Sequence, residues 1–216
     1  YCTAYYAAEE AIKLRKGEHV LVQSAAGGVG TALVQLAKHK GCVVYGTAGS
    51  EEKLAYLQQI GVNVPINYRE EDFEKVIKNK APNGKIDVVF DAVGGKHVKK
   101  AFGLLNAAGR LVCYGAASFS DKNLNVFKKM KTALDFGIYH PVQFMMSSKS
   151  IIGVNMLRIA DNKPEILQHC LTTVVDLAEK GILKPTVGAI FNVKQLAEAH
   201  DHLASRQSIG KIVVKW

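Results

Sequence analysis

The sequence predicts an α/β protein of the Rossmann type, with a doubly wound parallel sheet that carries helices on both faces. Three observations predict this fold class. Short apolar segments alternate with segments of helical periodicity between residues 19 and 114. The apolar segments are β-branched and nearly continuous, which is typical of strands covered on both faces. A glycine-rich turn joins the first of these strands to the first helix.

The predicted strands of this region are its apolar runs. Their sequences are HVLVQS, CVVYGT, VPIN, IDVVF and RLVCY, at residues 19–24, 42–47, 64–67, 86–90 and 110–114. Each run is short and rich in branched apolar residues, as expected for a buried strand. Because a helical segment separates each strand from the next, we expect right-handed crossovers and a parallel sheet.

Helices are predicted between these strands, at residues 29–40, 50–60, 71–80 and 96–105. The first has Val29, Leu33 and Leu36 along one face, as expected for a helix that packs on a sheet. Ser50 is the candidate N-cap of the second helix, and Gly61 ends it. The third is polar and is closed by the sequence APNG.

Beyond Gly115 the alternation becomes less regular. Helices are predicted at residues 125–134, 141–148, 164–180 and 193–205, and strands at residues 151–156, 188–191 and 211–216. Pro164 stands at the first position of its helix, where a missing N–H is tolerated.

The composition is that of a globular protein, with 48% hydrophobic and 22% charged residues. No apolar segment approaches the roughly 18 residues of a membrane span, and residues 1–11 do not resemble a signal peptide. The net charge of +9 comes from scattered lysines and short groups, for example at residues 96–100 and 128–131. No aromatic residues interleave them, so we interpret them as solvated helix faces and expect no nucleic-acid partner. Attraction of an anionic ligand into a cleft is the alternative.

The cysteines are far apart in the sequence, so they form neither a C-x-x-C motif nor a recognisable disulfide framework. This spacing favours a reducing compartment, and we expect a cytoplasmic protein. The four residues are Cys2, Cys42, Cys113 and Cys170.

The turn AAGGVG carries the first functional signal. A glycine-rich turn between a strand and a helix is the dinucleotide fingerprint, because the helix N-terminus holds a pyrophosphate through its free N–H groups and partial positive charge. Alignment with G-x-G-x-x-G places Ala25, Gly27 and Gly30 at the glycine positions, so alanine replaces the first. Gly27 lets the backbone approach the phosphates, and Gly30 lets the helix pack on the strand. The alternative is a tight turn that binds nothing.

The end of the second strand indicates which dinucleotide is bound. An NAD site usually carries an acid there that binds the ribose 2′-OH. Here residues 46–48 are Gly, Thr and Ala, and no acid appears before Glu51. Ser50 and Lys53 can donate to a 2′-phosphate, and one such contact favours NADPH about tenfold to a hundredfold. We therefore predict NADPH rather than NADH. Ser50 as a plain N-cap and Lys53 as a solvated lysine remain the alternatives.

Together the motifs resemble the medium-chain dehydrogenase/reductase superfamily, in its zinc-independent quinone oxidoreductase-like branch. They follow in order over essentially the whole chain as TAYYA, VLVQSAAGGVG, GTAGSEEK, INYRE, DVVFDAVGG, GRLVCYG, SIIGVNM, LKPTVGAIF, AEAHDHLAS and GKIVVKW. The long helical insert around residues 123–148 is similar to that of the synaptic vesicle membrane protein type. The combination is much more specific than any single motif.

The resemblance implies a set of cofactor-binding residues. The pyrophosphate would lie on Ala26, Gly27, Gly28, Val29 and Gly30. The adenosine 2′-phosphate would be surrounded by Gly49, Ser50, Lys53 and Tyr68. At the other end of the cofactor, the residues implied are Gly94 and Gly95 beneath it, Tyr114 and Gly115 beside the nicotinamide ribose, Val154 and Asn155 near the carboxamide, and Thr3 near the ring.

Some of these residues keep a plain structural alternative. Gly94 and Gly95 also suit a strand-to-helix turn, Tyr114 a half-buried strand position, and Asn155 a polar strand end.

The implied activity is NADPH-dependent transfer of hydride to a quinone or an α,β-unsaturated carbonyl, without zinc. The family's zinc enzymes need Cys and His ligands, and Cys2 misses the nearest such position by a few residues, so we predict no metal site. No catalytic residue is identified. The histidines are isolated and are interpreted as surface or structural residues, namely His97, His140, His169, His200 and His202.

The resemblance also implies partners and domains. A small-molecule substrate and a second copy of the chain are expected, the dimer pairing through the strand at residues 151–155. Residues 1–156 are predicted to form the core of an NAD(P)-binding Rossmann domain. Residues 157–216 are predicted to complete it and to return toward a GroES-like catalytic domain to which nothing in this sequence corresponds. A zinc-dependent alcohol dehydrogenase-type enzyme and a non-catalytic nucleotide-binding module in protein or membrane-surface association remain the alternative functions.

Overall fold

The computed structural model describes residues 1–116, 134–205 and 207–216. Its main feature is a six-stranded parallel sheet in the order β3-β2-β1-β4-β5-β6. The strands are β1 His19–Val22, β2 Val43–Ala48, β3 Val64–Asn67, β4 Ile86–Asp91, β5 Leu105–Cys113 and β6 Ser150–Gly153. This is the order of a doubly wound Rossmann sheet, so the predicted fold class is confirmed.

Helices follow the strands in the chain. They are α1 Cys2–Tyr5, α2 Gly28–His39, α3 Glu51–Gln59, α4 Phe73–Lys80, α5 Lys96–Leu104, α6 Pro141–Ser147, α7 Met156–Asn162, α8 Pro164–Glu179 and α9 Leu196–Ala204. A π-helical turn, Tyr6–Glu10, continues α1. The 3-10 turn Val193–Gln195 precedes α9.

The sheet separates two hydrophobic clusters. Successive strand residues point to opposite faces, so Val20 and Val22 lie in one cluster and Leu21 lies in the other. The first cluster packs under α1, α2 and α8, and the second packs under α4 and α5. Helices therefore cover both faces, which is why the strands read as continuous apolar runs.

Local sequence signals predicted the ends of several helices correctly. The Ser50 hydroxyl accepts a hydrogen bond from the backbone N–H of Lys53 and so caps α3. Gly61 lies just past that helix with a φ of 87°, a left-handed conformation that glycine adopts without strain. Pro164 is the first residue of α8.

The N-terminal helix was not predicted. α1 and its π-helical continuation are too short to show helical periodicity. Their buried residues are Ala4, Ala7 and Ala8, which join the cluster that includes α2. Such a short helix is stabilised by tertiary packing rather than by its own propensity.

Two strand boundaries also differ from the prediction. β5 begins at Leu105 rather than residue 110, and its pairing with β4 shifts register where Ala108 adopts a φ of 59°. The strand predicted to reach residue 156 ends at Gly153. It ends there because the Asn155 side chain accepts the N–H of Arg158 and starts α7.

The C-terminal part forms a second parallel sheet of two strands, β7 Val187–Asn192 and β8 Lys211–Lys215, joined through α9. Residues 125–133 of a predicted helix, with the lysines at 128–131, lie outside the described residues. Within the described ranges, no helix combines the length and apolarity needed to cross a membrane.

Candidate dinucleotide-binding site

A cavity of about 350 Å³ lies at the carboxyl ends of β1, β2 and β4. The strand order reverses between β1 and β4, and ligands of open α/β sheets bind at this switch point. The lining residues are Gln23, Ser24, Ala26, Gly27, Thr47, Ala48, Gly49, Lys53, Tyr68, Phe73, Ala92, Val93, His97, Leu203 and Ser208.

The glycine-rich turn forms one wall. Gly27 is the N-cap of α2, where no side chain caps the helix and no acidic residue stands in the first turn. A β-carbon on Gly30 would lie 2.7 Å from Cα of Ala25, so only glycine lets the helix pack this closely. Val29 and Gly30 follow within the first turn of α2 and do not line the cavity. The uncapped, acid-free helix N-terminus fits a bound pyrophosphate.

The second strand holds this turn in place. Ser24 adopts a φ of 53°, and its N–H donates to Oγ1 of Thr47 at 3.1 Å. The N–H of Ala25 donates to the Thr47 carbonyl at 2.9 Å. Thr47 thus uses its hydroxyl to position the turn. Ala48 is the last residue of β2, and no Asp or Glu is among the described residues that line the cavity.

Lys53 and Tyr68 line the cavity beside Gly49. A β-carbon on Gly49 would lie 2.5 Å from Cζ of Tyr68, so the phenol ring rests on the backbone of the turn after β2. Burial lowers the pKa of the Lys53 ammonium, against the opposing effect of Glu52. Ser50 lies outside the lining and serves as the cap of α3. An ammonium and a phenol at a rim without carboxylates suit a phosphate group.

A buried amide faces the same cavity without a partner. Gln23 lines the cavity and is only 2% exposed, yet its Nε2 has no hydrogen-bond partner in the described structure. Buried amide groups normally have one. Gln23 therefore places an unsatisfied amide donor in the wall of the cavity.

The turn after β4 is organised by Asp91. One oxygen of this fully buried carboxyl accepts the N–H groups of Val93 at 2.9 Å and of Gly94 at 2.6 Å. Burial raises the pKa of Asp91, and these two hydrogen bonds act against the rise. Gly94 and Gly95 have φ values of 80° and 59°, which require glycine. They shape the turn, while Ala92 and Val93 line the cavity.

The residues expected at the nicotinamide end lie outside this cavity. Tyr114 and Gly115 follow β5, and Val154 and Asn155 follow β6, so they stand at the same edge of the parallel sheet. Thr3 lies in α1, which packs against α2. These residues therefore lie at the ends of β5 and β6 and in α1, and none of them lines the cavity.

Close contacts connect the residues that follow β5 to residues that line the cavity. The Tyr114 hydroxyl donates to the backbone carbonyl of Gln23 at 3.4 Å, and its pKa is raised by burial and by Asp91. A β-carbon on Gly115 would lie 2.9 Å from the carbonyl oxygen of Ala92. The ends of β1, β4 and β5 are therefore packed directly against one another.

The C-terminal segment also contacts the glycine-rich turn, which was not predicted. The N–H of Gly210 donates to the carbonyl of Ala26 at 2.8 Å, and Gly27 pairs with Gly210 as an isolated bridge. A β-carbon on Gly28 would lie 2.9 Å from Cδ of Lys211, so this lysine lies over the first residue of α2. Leu203 and Ser208 of the same segment line the cavity.

Ten of the fifteen described residues that line the cavity were not among the predicted site residues. The rule that ligands bind at strand ends could have identified Gln23 and Ser24 after β1, and Ala92 and Val93 after β4. No sequence signal pointed to Phe73, Leu203 or Ser208. His97, interpreted as a surface or structural residue, lies half-buried in the cavity wall.

The described residues contain no group of three or more His, Cys, Asp or Glu side chains able to hold a metal ion. The ligand set of a zinc centre is thus not found in residues 1–116, 134–205 and 207–216.

Comparison with known proteins places these features in a family. Residues 28–172 match the family model described as zinc-binding dehydrogenase. The chain is 34% identical over 216 residues to the synaptic vesicle membrane protein VAT-1 homolog of Danio rerio, covering 99% of this chain and 44% of that protein. It is 30% identical to the 2-haloacrylate reductase of Burkholderia sp, covering 98% of this chain and 60% of that protein.

Solved structures show the same architecture. The quinone oxidoreductase of Thermus thermophilus, whose structure was also determined in complex with NADPH, superposes with a TM-score of 0.78 at 29% identity. The superposition covers 100% of this chain and 63% of that one. This chain thus spans about half the length of the curated relatives that it matches.

Proposed function

The chain belongs to the zinc-binding dehydrogenase family, and on this premise we propose that it is the NADPH-binding part of an oxidoreductase acting on a quinone or an α,β-unsaturated carbonyl compound. The predicted resemblance to the quinone oxidoreductase-like branch of the medium-chain dehydrogenase/reductase superfamily is confirmed. The observation that carries the proposal is the position of Lys53 and Tyr68 in a cavity that also contains the glycine-rich turn.

The charges at the cavity support NADPH over NADH. The β2 strand ends in Ala48, so its end carries no carboxylate that could accept a hydrogen bond from a ribose 2′-OH or repel a 2′-phosphate. Lys53 and Tyr68 supply donors at the same rim. Glu51 and Glu52 at the start of α3 are exposed and do not line the cavity. A charge-assisted hydrogen bond to phosphate contributes about 1.5–3 kcal/mol, enough to set the preference.

The residues present fit both the pyrophosphate and the 2′-phosphate of this cofactor. The N-terminus of α2, from Gly27 to Gly30, would hold the pyrophosphate, and Gln23 Nε2 would gain a partner. Lys53 and Tyr68 would hold the 2′-phosphate. When bound, NADPH supplies a hydride, and the task of the chain is to bind and orient it.

The proposal also covers the nicotinamide end of the cofactor and the substrate pocket. Tyr114, Gly115, Val154 and Asn155, with Thr3, would surround the nicotinamide at the ends of β5 and β6. Because this chain spans about half of its relatives, we assign much of the substrate pocket to a further domain of the longer protein. We also propose a homodimer through β6, which is the edge strand of the sheet. We propose a cytoplasmic location, because the wide spacing of the four cysteines favours a reducing compartment.

The proposal is tested by fluorescence titration of this chain with NADPH and NADH. The wild type should bind NADPH about tenfold or more tighter, and Lys53→Ala should lose that preference while binding NADH as before. Lys80→Ala serves as the matched control, since Lys80 is exposed at the end of α4 and away from the cavity. Equal binding of both dinucleotides by the wild type would refute NADPH specificity, and binding of neither would refute the cofactor site in this chain.

A further inference from the structure

His97 and Phe73 form a stacked pair of rings in the wall of the cavity. Their ring centroids are 5.7 Å apart and their planes differ by 16°. Phe73 is the first residue of α4 and is 4% exposed, and His97 is the second residue of α5. Both residues line the cavity. Two helices that are distant in sequence thus place one aromatic pair beside the candidate ligand.

Neighbouring contacts fix the orientation of this pair. The Lys100 ammonium lies 5.8 Å from the centre of the Phe73 ring. The same ammonium pairs with Asp72, which caps α4. A side chain held on an element terminus by packing and by charged neighbours is already oriented before a ligand arrives, which reduces the entropy lost on binding.

The state of the imidazole follows from its surroundings. Burial, together with Lys96 and Lys100, lowers the pKa of His97, against an opposing effect of Asp72. The ring is therefore neutral at neutral pH, with one N–H. Nδ1 is buried and has no partner, whereas Nε2 is not among the buried unpartnered atoms. Since a buried N–H without an acceptor is costly, the proton belongs on Nε2.

The position of the cavity indicates which part of a dinucleotide meets this donor. Lys53 and Tyr68 share the cavity with His97, while Tyr114 and Val154 lie outside it. The cavity therefore corresponds to the adenosine end. Its other walls near β2 and β4 are apolar, formed by Ala48, Ala92 and Val93. An apolar wall beside a fixed imidazole donor suits a planar base that carries ring-nitrogen acceptors, while Lys53, Tyr68 and Gln23 lie elsewhere in the lining.

We propose that His97 determines specificity for the base by donating a hydrogen bond from Nε2 to a ring nitrogen of adenine, with Phe73 holding the imidazole in place. This inference rests on the proposed function, because it requires a dinucleotide in the cavity. Neither residue belongs to the motifs that carry the family resemblance.

The test compares two ligands that differ only in the base. Calorimetric titration uses two ligands. The first, 2′,5′-ADP, has adenine, a 2′-phosphate and a 5′-phosphate. The second, ribose 2,5-bisphosphate, has the same two phosphates and lacks the base. His97→Leu should bind 2′,5′-ADP about three- to tenfold more weakly, as expected for one neutral hydrogen bond, and ribose 2,5-bisphosphate within about twofold of wild type. His97→Gln retains a donor and should recover part of the loss. His200→Leu, on the exposed face of α9, is the matched control.

The outcomes separate this inference from the proposed function. Equal losses on both ligands, or no loss on either, would overturn the role of His97 while leaving the cofactor site intact. Failure of the wild type to bind 2′,5′-ADP at all would overturn both. Nitrogen NMR of the wild-type histidines gives an answer that needs no variant. We expect the Nε2–H tautomer and a change at Nε2 with 2′,5′-ADP only, and an Nδ1–H tautomer would contradict the proposal.

Discussion

The phenol ring of Tyr68 rests directly on the backbone of Gly49. A β-carbon at position 49 would lie 2.5 Å from Cζ of Tyr68 and 3.0 Å from its Cε1, well inside any real contact. Tyr68 is 46% exposed, so it is the outer residue of the pair. The glycine therefore determines where the phenol stands at the rim of the cavity, although it has no side chain of its own to contact a ligand.

Gly49→Ala should displace Tyr68 and weaken NADPH binding. The loss of one charge-assisted contact corresponds to about tenfold in Kd, whereas NADH binding should change by less than about threefold. Fluorescence titration with both dinucleotides measures the two effects. Tyr68→Phe is the companion variant, since it removes the hydroxyl and keeps the ring. An alanine variant that binds NADPH normally would show that the position of Tyr68 is immaterial.

Ala48→Asp should reverse the cofactor preference. The new carboxylate would lie at the end of β2, where it can accept from a ribose 2′-OH and repel a 2′-phosphate. We expect the ratio of the NADH and NADPH dissociation constants to shift by about tenfold or more toward NADH. Ala48→Asn adds similar volume without charge, and it should shift the ratio far less. An equal shift in the two variants would point to size rather than charge.

Gly30→Ala should destabilise the chain and disturb the glycine-rich turn. A β-carbon there would lie 2.7 Å from Cα of Ala25, a backbone atom that cannot yield easily. We expect a loss of about 1–3 kcal/mol in the free energy of unfolding, measured with urea. Gly103→Ala is the control, because nothing lies within 4 Å of its β-carbon position in α5. That variant should gain up to about 1 kcal/mol from helix propensity. Equal effects would contradict the steric argument.

Asp91→Asn should alter how stability depends on pH. Burial raises the pKa of Asp91 above its unfolded value, so the native state prefers the protonated carboxyl. The unfolded state therefore releases its proton first, and stability is lost as pH rises from the unfolded pKa through the folded pKa. Asparagine does not titrate and keeps an oxygen for the N–H groups of Val93 and Gly94.

Denaturant unfolding of both proteins between about pH 3.5 and 7 measures this difference. Relative to wild type, Asp91→Asn should become more stable as pH increases across the window. A constant difference across the window would mean that the pKa of Asp91 is the same in the folded and unfolded chains.

Much of the fold was predictable because its signals are local. The strands of the main sheet appear as apolar runs, the Ser50 cap and Gly61 mark the ends of α3, and Pro164 marks the start of α8. The glycine-rich turn is equally local, since it lies within one strand–helix connection. Its position, together with the alternation of elements, was enough to predict the sheet type and the region of the site.

Other features escaped prediction because they depend on contacts distant in sequence. The short α1 exists because its alanines pack against the main cluster, and β5 extends to Leu105 only because β4 lies beside it. His97 belongs to no recognised sequence motif. It lines the cavity because α5 begins shortly after the carboxyl end of β4.

The sequence by itself determined the succession of the main strands and helices and the glycine-rich turn between β1 and α2, because hydrophobic periodicity and glycine conformation act within a few residues. Only the tertiary structure decided which side chains share the cavity. The parallel sheet brings the ends of β1, β2 and β4 together, and the pairing of Gly210 with Gly27 brings the C-terminal segment onto the same turn. Such contacts arise from the packing of whole elements, which no short stretch of sequence encodes.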